Sequence, residues 1–166
     1  MVGPKQLIEH YNLQPHPEGG WYKEVYRSRE SIEARALPAR YSGPRTFCTI
    51  IYFLLEQGEK SAFHRIKSDE CWHFYAGDPM EVFVLERDGT LTITEIGNDI
   101  EKGQLFQFVV PANTWFASRP SSRSAFSFVG CTVAPGFEFA DLDLADADIL
   151  ARQYPEHETI IRELSL

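Results

Sequence analysis

From Thr46 to Ala134 the chain is a succession of short β-favouring runs cut by turn-forming residues, and few architectures absorb such a pattern. Thr46 to Leu55 is an unbroken β-branched and aromatic run, as expected of a strand buried on both faces. Further runs follow at about 60–66, 70–76, 80–87, 90–96, 105–110, 114–118 and 124–134. Between them lie Gly77-Asp78-Pro79, Asp88-Gly89, Gly97-Asn98-Asp99, Pro111-Ala112-Asn113 and Arg119-Pro120-Ser121-Ser122. Asp88-Gly89 between alternating runs is a strong hairpin signal. Many short strands with regular turns predict a sandwich or barrel.

The flanks read differently. Residues 4–13 suit a short amphipathic helix, with Pro4 in its first turn and Leu7, Ile8 and Tyr11 on one face. Trp21 to Arg29 reads as a strand, with Trp21, Lys23, Val25 and Arg27 on one side and Tyr22, Glu24 and Tyr26 on the other. Residues 30–45 form a long loop carrying Arg35, Arg40 and Arg45. Pro135-Gly136 ends the β region, and 144–153 and 155–164 read as two terminal helices. A length of 166 residues predicts one domain, its barrel at about 20–136 and its helical segment at about 144–164.

A net charge of −8 argues against nucleic acid or an anionic membrane as partner, since both need a basic footprint. Twelve Phe, seven Tyr and three Trp suit a β-rich protein or a ring-lined cavity. Cys48, Cys71 and Cys131 have no metal or redox spacing, so free thiols in a reducing compartment are expected. With no signal-peptide core and no apolar run long enough to span a bilayer, the expected location is cytoplasmic.

The stretch Gly58-Glu59-Lys60-Ser61-Ala62-Phe63-His64-Arg65-Ile66-Lys67-Ser68-Asp69-Glu70-Cys71-Trp72-His73-Phe74-Tyr75-Ala76-Gly77 resembles the first motif of the cupins, with Ile66 in place of its second histidine. The resemblance covers nearly the whole chain. His16 to Ser28, Ser68 to Gly77 and the region from Phe137 to Tyr154 are similar to one branch, the cupin-5 group, a domain family of unknown function. It implies a mostly β fold, a double-stranded β-helix or jelly-roll barrel, with a short N-terminal helix and two C-terminal helices. It also implies a cavity between the sheets and a homodimer. A cupin metal site has three histidines and a glutamate. Here only His64 and Glu70 match, because Ile66 and Phe116 replace the other two histidines, and Asn113 replaces the second motif's glycine. Since a stable divalent site usually needs three protein ligands, no cofactor is expected. A weak divalent metal on His64 and Glu70 stays open as an alternative. In a strand, His73 faces away from Glu70 and cannot restore the site, so it reads as a hydrogen-bonded histidine on the outer side.

Strand alternation turns Ala62, His64, Ile66, Glu70, Trp72 and Phe74 inward, and Trp115 or Phe116 closes a wall. Such a pocket suits a small organic molecule. A buried carboxylate needs a partner, and a His64–Glu70 hydrogen bond is the simplest one. His64, oriented by Glu70 or Asp69, is a candidate general base, and Tyr22 or Tyr75 a candidate for returning the proton. The segment 19–27 is also similar, distantly, to the early strand of the thymidine-diphospho-sugar 3,5-epimerases. That likeness implies nucleotide contacts from Trp21, Glu24 and Arg27, and a strand exchanged between subunits. Arg45, followed by Thr46, is a further candidate for gripping a phosphate. Gly19-Gly20 lacks the lysine and helix of a phosphate loop. Three functions follow as expectations. The first is a pocket for a nucleotide, nucleoside diphosphate or nucleotide-sugar, with or without metal-independent epimerase or isomerase activity. The second is a metal-dependent oxygenase or isomerase, and the third a non-catalytic dimer with a vestigial cavity.

Overall fold

A computed structural model describes residues 2–121 and 125–166. The expected turn at 119–122 and the start of the strand expected over 124–134 fall partly outside those residues. In chain order the elements are α1 (Pro4–Tyr11), β1 (Gln14–Pro15), β2 (Trp21–Arg27), β3 (Ser31–Ile32), β4 (Arg45–Thr46) and β5 (Thr49–Glu56). Then come β6 (Ser61–Arg65), β7 (Asp69–Gly77), β8 (Met80–Leu85), β9 (Leu91–Ile96), β10 (Gln107–Val110), β11 (Trp115–Pro120) and β12 (Phe126–Ala134). β13 (Asp143–Leu144), α2 (Ala147–Gln153) and α3 (Glu158–Glu163) complete the chain.

The fold is mostly β, with two antiparallel sheets face to face: β1-β2-β5-β12-β7-β10 and β13-β6-β11-β8-β9. This is the expected jelly-roll architecture. The residues from 30 to 45 differ from the expected plain loop, because β3 and β4 pair as a small two-stranded ribbon.

Alternation along the strands places the core between the sheets. Phe53, Leu55, Trp72, Val82, Val84, Phe116 and Val129 pack there and are almost wholly buried. Odd residues of β6 and β8 turn the other way, so Phe63 and Phe83 meet Leu150 and Ile161 of the C-terminal helices. On the opposite side α1 lays Leu7 over Leu54, Phe126 and Phe128 of the first sheet. Thus each sheet has helical cover on part of its outer face, and one end of the space between the sheets remains open as a cavity. Asn113 takes up the left-handed conformation (φ 59°) at the turn before β11, and asparagine tolerates that region better than most residues.

Candidate functional site

The cavity has a volume of about 280 Å³. It is lined from β2 by Tyr22, Glu24 and Arg27, from β5 by Thr49 and Ile51, and from β6, β7 and their connection by His64, Glu70 and Ile66. β12 contributes Cys131 and Val133, the loop before β2 contributes His16 and Glu18, and the segment after β12 contributes Phe137, Glu138 and Phe139.

His64 is 2 % exposed. Its Nδ1 lies 2.7 Å from the carbonyl oxygen of Ala62 and therefore carries a hydrogen, since a carbonyl only accepts. Its Nε2 lies 3.2 Å from Oε2 of Glu18. The Glu18 carboxylate is therefore placed to stabilise a proton on Nε2. The other Glu18 oxygen accepts from Ser61 Oγ at 2.8 Å, and the Glu18 carbonyl accepts from Ala62 N at 2.8 Å. The expected partner of His64, Glu70, is thus replaced by Glu18.

The two glycines after Glu18 explain how a loop carboxylate reaches this position. A Cβ on Gly19 would lie 2.1 Å from the Lys60 carbonyl oxygen, and one on Gly20 would lie 2.5 Å from Leu55. Both glycines have positive φ, 112° and 72°. Only residues without a Cβ let the loop press this closely onto the β5–β6 connection. The Glu18 N–H donates back to His16 Nδ1 at 3.3 Å. Burial pushes the His16 imidazole below its ordinary value, against the pull of the Glu18 carboxylate, so the ring is neutral with Nδ1 as acceptor.

Glu70 is 7 % exposed and lines the cavity without a cationic partner. Its donor neighbours are the Cys131 thiol and the Trp72 indole N–H, and the indole makes no hydrogen bond of good geometry. Burial, reinforced by the nearby Glu18 charge, raises the Glu70 carboxyl to about 8. The same burial, with Glu70 next in importance, pushes the Cys131 thiol well up. Glu70 is therefore a neutral acid at pH 7, and Cys131 a thiol.

Arg27 reaches the cavity through a bulge. Glu24 pairs with Ile51, but Tyr26 pairs with Ile50, so Val25 is an extra residue in β2. The bulge reverses the expected alternation and returns Arg27, opposite Thr49, to the side of Tyr22 and Glu24. There its Nε and Nη2 donate to the two Glu24 oxygens at 3.0 and 2.8 Å. Its Nη1 donates to Glu138 at 2.7 Å, and Nη2 also donates to the Phe137 carbonyl at 3.1 Å.

Of the residues named from sequence, His64, Glu70, Glu24 and Arg27 meet in the cavity, and eight others do not line it. Trp21 points to the outer side, where it packs with Leu7, Leu54 and Phe128. Arg45 is buried in a bidentate pair with Asp141, both bonds 2.6 Å, and also donates to the carbonyls of Gly43 and Pro44. Thr46 lies beneath Gly136, whose missing Cβ would strike its hydroxyl. Ala62 faces inward but contributes its carbonyl to His64 rather than cavity surface. Trp72, Phe74 and Phe116 also face inward, but fill the barrel core beyond the cavity. Trp115 lies on the outer side with the Arg65 guanidinium 4.4 Å from its ring. The aromatic wall is instead made by His16, Tyr22, Phe137 and Phe139. His16 and Tyr22 meet edge to face at 4.6 Å, and Phe137 and Phe139 at 5.2 Å. No sequence periodicity marks Phe137 and Phe139. Their anchor is Asp141, two residues further on, clasped by Arg45.

Over residues 5–145 the chain matches the model of Cupin_5, described as "Cupin superfamily (DUF985)". The chain belongs to the Cupin_5 family. It is 36% identical to protein SO0799 from Shewanella oneidensis, with a TM-score of 0.89 over 100% of this chain and 99% of that one. A hypothetical protein from Leishmania major is 30% identical, with a TM-score of 0.88 over 99% of both chains. The "Uncharacterized protein YML079W" of Saccharomyces cerevisiae is 29% identical over 146 residues, 82% of this chain and 72% of that one. Oxalate decarboxylase from Bacillus subtilis shares the fold at 13% identity, TM-score 0.53, over 90% of this chain and 36% of the decarboxylase.

The donor set of this Cupin_5 cavity does not fit a cupin metal. Ile66 presents hydrocarbon at one ligand position. At the other, the Phe116 ring lies 4.1 Å from the His64 ring. His64 directs Nδ1 at a carbonyl and Nε2 at Glu18. Among the described residues no three His, Cys, Asp or Glu side chains are arranged to hold a metal ion. His73 accounts for itself on the outer side, where its Nε2 lies 3.1 Å from Thr132 Oγ1. Among the described residues no helix is long and apolar enough to cross a membrane.

Proposed function

We propose that this Cupin_5 protein binds one ring-sized organic molecule in its cavity and moves a proton on it without a metal, as an epimerase or isomerase does. The observation that carries this reading is the His64–Glu18 pair, a base fixed at both ring nitrogens beside the protonated Glu70. The volume of about 280 Å³ suits a single sugar or base ring. Tyr22, Phe137 and Phe139 offer it flat apolar surface.

With Nδ1 holding its hydrogen toward the Ala62 carbonyl, Nε2 is the basic atom of the His64 ring, and Glu18 stabilises the proton it takes from a carbon next to a carbonyl. As that C–H bond breaks and the enol double bond forms, the protonated Glu70 donates to the carbonyl oxygen. Return of a proton to either face of the carbon restores the carbonyl and gives back starting material or its isomer. Tyr22 is the candidate for protonation from the opposite face. A nucleotide or nucleotide-sugar fits this reading through its ring alone. Its phosphates would lie outside, because Arg27 is committed to Glu24 and Glu138 and Arg45 to Asp141.

The test is deuterium uptake in D2O at the carbon next to the carbonyl, followed by proton NMR on chelator-treated protein with aldoses, ketoses and their nucleotide conjugates. Uptake with one compound class, lost in His64→Ala, is the expected result. No uptake and no calorimetric binding across the set would refute the proposal. The reading includes a cytoplasmic homodimer, supported by free thiols and by exposed Val25, Tyr26 and Tyr75 on the first sheet. A monomer in sedimentation at micromolar concentration would refute the dimer.

A further inference from the structure

The cavity is acidic beyond what its own bonds require. Arg27 is the only arginine or lysine among its lining residues, which also include Glu18, Glu24, Glu70 and Glu138. Two of those carboxylates share Arg27, and four of its five N–H groups are already donated, by the four bonds described above. That clasp is one negative charge in excess. The Glu18 carboxylate faces the His64 imidazole. His16 is a neutral acceptor. Glu70 remains, buried, lining the cavity and without a cation, so it keeps its proton. Its ionised form would need a positive partner, and the described residues provide none for it within the cavity.

The aromatic lining fits the same conclusion. His16, Tyr22 and Phe139, which line the cavity together with Glu70, cluster at 4.6 to 6.4 Å between ring centroids, and the faces of such rings are electron-rich. Rings with a carboxylate are the groups that hold an organic ammonium.

We infer that the cavity selects a ring-sized ligand bearing a protonated amine, held by Glu70 and the Tyr22–Phe139 wall, over analogues that bring a phosphate or carboxylate into the cavity itself. The inference rests on the cavity being the ligand site, as proposed above, but not on its catalysing a reaction. It adds a function for Glu70 in the bound state. Where the ligand carries an ammonium, Glu70 gives up its proton to solvent and becomes the counter-ion in place of the acid that protonates a carbonyl oxygen, so uptake of such a ligand below pH 8 releases a proton.

The native thiol of Cys131, which lines the cavity, reports the field directly. In the Cys48→Ser, Cys71→Ser variant it is the only thiol. Its reaction rates with aminoethyl, methyl and sulfonatoethyl methanethiosulfonate are measured at pH 7 and normalised to a free thiol. Ile51→Cys in the same background is a second, more accessible reporter. The inference predicts that the cationic reagent outruns the anionic one by roughly tenfold or more. It also predicts that benzylammonium protects Cys131 at concentrations where benzyl alcohol and benzoate do not. In buffers of differing ionisation enthalpy, calorimetry of benzylammonium should show a proton released in the wild type and none in Glu70→Gln. An anionic reagent reacting as fast as the cationic one, or equal protection by benzoate or benzyl alcohol, would overturn the inference and leave the proposed proton transfer standing. Cationic preference without deuterium uptake by any substrate would sustain the inference and remove the catalytic reading. Failure of even the neutral reagent at both cysteines in folded protein would close the cavity to ligands and overturn both.

Discussion

Replacing Glu70 by Gln should remove the pH dependence of stability that this residue imposes. In the unfolded chain the carboxyl ionises near 4.5, whereas in the folded barrel burial and Glu18 raise it to about 8. Between those values the folded state holds a proton that the unfolded state has lost. Stability therefore falls as pH rises through that window and levels off above it. At about 1.4 kcal/mol per pH unit, the window amounts to about 5 kcal/mol as an upper bound. Relaxation and water entry around an ionised Glu70 should reduce it to roughly half. For a protein of this length that is a difference in Tm of roughly 5 to 10 °C. Glutamine has nearly the shape of the protonated acid and does not titrate. The two proteins should match near pH 5, and Glu70→Gln should be the more stable at pH 9. Urea unfolding followed by tryptophan fluorescence between pH 5 and 9 provides the measurement. Parallel profiles for the two proteins would show that Glu70 is ionised normally in the fold, and would remove its role as an acid at pH 7.

Arg45→Ala leaves the buried Asp141 with only Lys67, 3.4 Å away, and should cost about 2 to 4 kcal/mol in chemical denaturation, with faster amide exchange over 137–141. Gly19→Ala meets the Lys60 carbonyl, and should lower stability by more than about 1 kcal/mol while abolishing proton-transfer activity through displacement of Glu18. Phe139→Ala should weaken ligand binding by about tenfold through loss of a ring wall, while Trp115→Ala, outside the cavity, should leave affinity unchanged in calorimetry.

The barrel was legible because its turns and apolar alternation are local signals. The same alternation placed His64, Glu70, Trp72 and Phe74 inward, and His73 outward, correctly. It failed at Arg27 because Val25 is a bulge residue, and nothing in a single sequence distinguishes Trp-Tyr-Lys-Glu-Val-Tyr-Arg with a bulge from the same run without one. Glu18 was missed for a different reason. It belongs to a loop, which has no period, and its path depends on the fit of Gly19 and Gly20 against the β5–β6 connection about forty residues away in sequence. Arg45 looked like an anion site because its partner, Asp141, lies 96 residues further on. The aromatic wall shifted with it: Phe137 and Phe139 reach the cavity on a segment held by that ion pair and by the Arg27 bonds to Glu138 and the Phe137 carbonyl. A single sequence reveals which residues share a strand face, but not which distant segment returns to complete a site.

A crystal structure of the protein with whatever small molecule it retains from the cell tests the central claim most directly. The account predicts one ring-sized organic ligand against Tyr22 and Phe139, within hydrogen-bond reach of Glu70 and of the Glu18–His64 pair, with no metal between them. A metal ion coordinated by His64 and Glu70, with Glu18 turned away from the imidazole, would contradict it.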